Sequence, residues 1–149
     1  MRLSGHRTSK IETSDEPVSL LLVSPSPDDH KTLQEIMRDS NWTIHHAPSL
    51  GRARALLRDE SVMFVICERD VPPGTWKDVL REAVSRAKPL SFILTSPHAD
   101  DYLWAEALNM GAYDVLAKPF RASEVIRTLQ MAFLHWKYQR EGKTRPAPA

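Results

Sequence analysis

Residues 18–30 read VSLLLVSPSPDDH. An almost continuous apolar run of this length is the pattern of a strand buried on both faces, not of one with a wet side. The residues after it change character at once. Ser26 suits a helix N-cap, Pro27 the first helical position, and Asp28 and Asp29 the positive end of the helix dipole. This one stretch therefore predicts a buried strand, a short corner and a helix. On that reading Asp28 and Asp29 are helix-start residues lying beyond the corner. The alternative is that the SPSP loop curls back and offers one carboxylate to an ion.

The same alternation continues outward. Leu33, Ile36 and Met37 recur at helical spacing, and Trp42 to His45 reads as a weaker edge strand. Leu50, Ala53, Leu56 and Leu57 mark a second helix, and Val62 to Cys67 a second strongly buried strand. Trp76, Val79, Leu80 and Ala83 give a third helix, followed by a strand over Leu90 to Leu94. Leu103, Ala107 and Met110 line a fourth helix that stops at Gly111, a favourable capping residue. Tyr113 to Ala117 is a last strand, and Val125, Leu129, Ala132, Phe133 and Trp136 stripe a long final helix. Five strands alternating with helices predict an α/β fold, a doubly wound parallel sheet of flavodoxin-like order 2-1-3-4-5. Functional residues then belong just after Val23, Cys67, Leu94 and Ala117, at the carboxyl ends of the strands.

Composition bounds the function. At 149 residues the chain suits one domain with a real core, and 42% apolar residues with a net charge of +1 argue against disorder and against a globally basic nucleic-acid binder. No apolar run is long enough to span a bilayer. A single cysteine, Cys67, excludes an internal disulfide and suits a reducing compartment, so a cytoplasmic protein is expected. Residues 1–16 and 141–149 read as flexible tails flanking a domain over 17–140.

The most specific motif is GAYDVLAKPF, residues 111–120, supported by the strand ending in Thr95 and by Pro72 four residues beyond Glu68. These residues resemble the receiver domain of two-component response regulators. The resemblance implies a carboxylate pair after the first strand that holds Mg²⁺ and a phosphoacceptor aspartate after the third. It also implies a hydroxyl, a lysine and an aromatic residue that read out the new charge. Carried over, Thr95 matches the hydroxyl and Lys118 the lysine. Four positions depart: Glu68 stands at the phosphoacceptor, Ser24 and Pro25 at the acidic pair, and Val115 at the aromatic position.

The departures act in one direction. Phosphoryl transfer needs an in-line nucleophile and a cation to neutralise developing charge. Ser24 offers one neutral oxygen and Pro25 no side-chain ligand, so Mg²⁺ is expected to bind weakly or not at all. Glu68 carries its carboxylate about 1.5 Å, one bond length, further than aspartate would. The expected protein is thus a stand-alone, non-enzymatic pseudo-receiver without a catalytic residue or cofactor, acting independently of phosphorylation. Glu68 either imitates the phosphorylated state by pairing with Lys118 or remains solvated. One rival is a still-switchable receiver phosphorylated on Glu68 or Asp70.

Other residues carry less. Thr95 is expected to bond Glu68 or to cap the loop before Pro97, Tyr113 to pack or lie at the surface, and Cys67 to be a core residue. His45 and His46 point to opposite sheet faces and cannot chelate one ion together. Residues 135–145, HWKYQREGKTR, mix aromatic and basic side chains. They are read as a solvated helix end, with a nucleic-acid accessory role as the second rival. The expected partners are proteins of a signalling pathway, a histidine kinase or another regulator. A homodimer through the fourth helix, last strand and fifth helix is a further expectation. Tyr102, Trp104, Tyr113 and Trp136 are the candidate anchors for such contacts, or else core residues.

Overall fold

The computed structural model describes residues 18–140; the expectations about residues 1–16 and 141–149 lie outside them. In chain order the elements are β1 (Val18–Val23), α1 (Pro27–Ile36), β2 (Trp42–Ala47), α2 (Leu50–Leu57) and β3 (Val62–Glu68). Then come β4 (Asp70–Val71), β5 (Gly74–Thr75), α3 (Trp76–Val84), β6 (Ser91–Ser96), α4 (Asp101–Asn109), β7 (Asp114–Ala117) and α5 (Ala122–Arg140). The main sheet is parallel with order β2-β1-β3-β6-β7. This is the predicted flavodoxin-like order, because β4 and β5 form a separate two-residue antiparallel ladder. That ladder went unpredicted, since two-residue strands have no periodicity to read.

The side-chain alternation of β1 and β3 builds two cores. Leu21, Val23, Val65 and Cys67 face α2, α3 and α4, together with Trp76 and Phe92. Leu20, Leu22, Phe64 and Ile66 face α1 and α5, where Leu33, Leu129 and Phe133 meet them. Both faces are dry, which is why these strands show no polar alternation. Trp42 stacks on Phe64 at 5.1 Å and anchors edge strand β2. Met110 caps the C-terminus of α4, and Gly111 follows with φ at 111°, a backbone conformation that favours glycine.

The short corners bring the strand ends together. Ser24 donates its backbone N–H to the Ala47 carbonyl (3.0 Å), tying the β1 exit to the end of β2. Glu68 pairs in register with Thr95, and Lys118 donates its N–H to Ser96 (3.1 Å). Phe64 is fully buried under three aromatic rings, Trp42, Phe133 and Trp136. Replacing it with alanine opens a cavity, and Phe64→Ala is expected to lower unfolding free energy in urea by about 3–5 kcal/mol.

Candidate functional site

The site begins with the last residue of β3. Glu68 is only 7% exposed. Its Oε2 accepts the Arg69 backbone N–H at 3.0 Å, and its Oε1 is ion-paired with Lys118 Nζ. Lys118 follows β7 directly, ahead of a cis peptide bond to Pro119. Its ammonium also donates to Asp29 Oδ2 at 2.6 Å. One lysine thus joins carboxylates from α1 and β3.

Asp29 corrects the sequence reading. It does lie in the first turn of α1, with Ser26 at the N-cap and Pro27 opening the helix. It does not lie beyond the corner: it is 9% exposed and turned inward. The Ser24 hydroxyl donates to the same Oδ2 at 2.6 Å and accepts the Ser26 N–H at 3.1 Å. With Ser24 tied to β2, the loop is too short to carry the first helical turn away from the sheet, so the second aspartate drops onto the strand ends. Asp28 points out and is exposed. Ser26 makes no side-chain cap bond, despite its suitable residue type.

The remaining predicted residues separate into those in the corner and those outside it. Pro25 is exposed and contributes no ligand. Thr95 is fully buried, but its hydroxyl donates to the Leu116 carbonyl at 2.8 Å. It neither bonds Glu68 nor caps the loop before Pro97, contrary to both expectations, because the hydroxyl is taken up by the backbone of neighbouring β7. Val115 packs in the core shared with α4. Asp70 is exposed in the β4–β5 ladder and pairs with Arg69 at 3.1 Å, away from the corner. Cys67 is buried, and burial followed by the Glu68 charge raises its thiol well above the usual range.

Of the four aromatic anchors, Tyr102 (84% exposed) and Trp104 (46%) stand out from α4. Tyr113 and Trp136 pack against the Phe64 core instead, Trp136 beside Phe133 and Tyr113 beside His135. Helical phase already put Trp136 on the apolar stripe. The β4–β5 ladder lies between the site and α3, which starts with a capping box. Thr75 Oγ1 accepts the Lys77 N–H, and Asp78 accepts the Thr75 N–H at 2.9 Å.

This geometry can be set beside known proteins. The sequence matches the response regulator receiver domain over residues 20–130. The chain belongs to that family. It is 26% identical over 114 residues to the C4-dicarboxylate transport transcriptional regulatory protein DctD of Rhizobium meliloti, covering 76% of this chain and 25% of that protein. It is 27% identical over 123 residues to the hydrogenase transcriptional regulatory protein HoxA of Cupriavidus necator, covering 80% and 25%. The chain therefore spans about a quarter of the length of these relatives. Among solved structures, the signal receiver domain of an HD domain-containing protein from Pseudomonas fluorescens Pf-5 superposes with a TM-score of 0.75 at 26% identity, covering 82% of this chain and 98% of that one. The receiver domain of a putative LuxO repressor from Vibrio parahaemolyticus gives 0.80 at 20% identity, covering 87% and 100%. The receiver is thus a module of two-component signalling, of a family that generally signals without being an enzyme. Among the described residues, no helix is long and apolar enough to cross a membrane.

Within this receiver the lysine is the electrostatic centre. Burial alone would depress the Lys118 pKa, but bonds to Asp29 and then Glu68 outweigh it and raise the value. A lysine pKa raised on folding contributes stability that is fully present below the unfolded value and is lost only as pH climbs through the folded value. At neutral pH the ion-pair contribution is therefore complete. Lys118→Met leaves two buried carboxylates without their cation and is expected to cost about 3–5 kcal/mol by urea unfolding near pH 7. A variant as stable as the wild type at pH 7 would contradict the electrostatic account.

Proposed function

We propose that this receiver signals by protein contact without being phosphorylated, its corner held in one state by an internal salt bridge. The observation that carries the reading is the Lys118 ammonium placed between the Glu68 and Asp29 carboxylates. Phosphoryl transfer in a receiver requires a free acceptor carboxylate and a divalent cation. Here both Glu68 oxygens have partners, the Arg69 N–H and Lys118. Asp29 Oδ2 serves Ser24 and Lys118 together. Mg²⁺ takes near-octahedral oxygen ligands and gives up its waters reluctantly. Oxygens already committed to an ammonium, and the repulsion of that ammonium, make a poor match to it. Weak or absent Mg²⁺ binding belongs to the same proposal.

Glu68 engages one of the two readout groups. It holds Lys118, as an added phosphoryl group is expected to do, while the Thr95 hydroxyl stays on the Leu116 carbonyl. The imitation is therefore partial, by charge at the lysine and not at the hydroxyl. The output surface we assign is the exposed side of α4, with Tyr102 and Trp104 as anchors for a protein partner or a second copy. A cytoplasmic location and the absence of enzymatic activity complete the reading.

The decisive experiment is intact-mass measurement after incubation with acetyl phosphate and Mg²⁺. The mass is expected to stay unchanged, and an added phosphoryl group on Glu68 or Asp70 would establish the switchable alternative. Partner affinity supplies a second test. Glu68→Gln keeps the shape and removes the charge, so it should alter binding to a partner captured with the wild type. Equal binding would eliminate mimicry while leaving the inactive corner intact.

A further inference from the structure

At the end of the sheet opposite the corner lies a groove of about 780 Å³, lined by residues outside the Lys118 network. It opens where β1 and β3 begin, beside the residues leading into β6 and the last turn of α5. Val62, Met63, Pro89 and Trp136 make its apolar lining, and Glu60 and Lys88 stand on it with opposite charge. Trp136 is held from behind by Phe64 and Phe133, with ring centroids 6.4 and 5.9 Å away, so an occupant meets a face that is already ordered. Glu60 accepts the Lys88 backbone N–H at 3.2 Å and lies 3.6 Å from Arg86 Nη2, and its side chain is still 41% exposed. Gln139, one residue before the end of α5, lines the groove as well. The chain leaving α5 therefore starts at the rim.

We propose that residues 141–149 of this chain, EGKTRPAPA, seat in this groove, with Pro146 and Pro148 against Trp136 and Met63. Position favours them first. They follow directly on α5, and Arg145 is six residues from Gln139, at most about 20 Å of extended chain. Over so short a tether the segment is present at an effective concentration on the order of millimolar, so modest contacts suffice. Gly142 supplies the backbone freedom to leave the helix and turn back toward the sheet. Composition favours them too. Alternating prolines and alanines favour an extended polyproline form with little entropy left to lose, and such segments bind grooves lined by aromatic rings. Charge agrees, since Arg145 suits Glu60 and Glu141 suits Lys88. The stretch before Val18 also leaves beside the groove, through Ser19. Residues 12–17, ETSDEP, however bring three acidic residues and no basic one to a rim that holds Glu60 as well as Lys88. Seated in this way, residues 141–149 cover Met63 and Trp136 and fix the direction in which the chain leaves α5.

A nitroxide attached through Ala147→Cys in the full chain tests this by paramagnetic broadening of amide resonances, since the native Cys67 is buried and stays unlabelled. The amides of Ser19, Met63 and Lys88 are expected to lose more than half of their intensity, while those of Arg52 and Asp101, at the corner end, keep theirs. Pro146→Gly combined with Pro148→Gly, or Arg145→Glu alone, should relieve the broadening at least twofold, and each leaves the sheet and its helices untouched. Full intensity at the groove amides overturns the proposal. Broadening that neither variant relieves reports tethering without docking and overturns it too. Two further outcomes do the same. Broadening that appears when nitroxide-bearing chain is mixed with isotope-labelled chain lacking the nitroxide puts a second copy in the groove. Broadening from a nitroxide at Ile11→Cys but not at Ala147→Cys puts the stretch before Val18 there.

Discussion

A single ammonium between two sequestered carboxylates sets the form of this receiver's corner. Lys118 joins the end of β7 to the end of β3 and the first turn of α1. Two buried carboxylates without a cation would repel each other and lack the hydration that water gives them. The residue at position 24 matters for the same reason. A carboxylate there would add a third negative charge to a cluster with one lysine. Ser24 supplies a neutral donor instead, and its hydroxyl steers Asp29 onto Lys118. The departure at 24 thus keeps the corner to two carboxylates around one lysine, and Asp29 takes part in that balance.

The length of Glu68 fits this arrangement. A glutamate at the end of β3 extends further over the strand ends than an aspartate would. Its two oxygens divide between the Arg69 N–H beneath and Lys118 beside it. The added methylene supplies reach for the pair with Lys118. Arg69 shares its N–H with the Thr95 carbonyl at 3.0 Å, so the loop leaving β3 is bound to β6 at the same point. The corner is therefore built from backbone hydrogen bonds of the sheet as well as from charge.

Much of the fold was legible because its signals are local. Buried parallel strands show as apolar runs, and Val18–Val23 and Val62–Glu68 agree with theirs to within a residue. Gly111 marked the end of α4 by its backbone freedom alone. The corner was legible only in part. Positions 68, 95 and 118 follow from strand ends and a specific motif, but Asp29 does not. Its residue type suits a helix start, and it does stand at one. What turns it inward is the tether of Ser24 to Ala47, a contact between residues far apart in the chain. Thr95 escaped for a related reason, since its preferred acceptor is a β7 carbonyl that no pattern in β6 announces. The His30–His46 pair joins α1 to β2, and face alternation within β2 correctly separated His45 from His46 without revealing the partner across the corner.

On the proposed reading, what a partner can detect is limited by how little of the readout Glu68 engages. A carboxylate offers one charge, whereas a phosphoryl group brings nearly two and three acceptor oxygens. Lys118 is already drawn to Glu68, yet Thr95 remains held by Leu116, and Val115 is a buried aliphatic side chain in place of an aromatic one. A ligand or charge shifts an equilibrium only by its difference in affinity for two states. With the lysine paired and the hydroxyl satisfied elsewhere, neither group is left waiting for a signal. The corner then works as a fixed structural element, and specificity has to come from the face it supports: the exposed Tyr102 and Trp104 on α4, set by packing on β6 and β7 rather than by a chemical event.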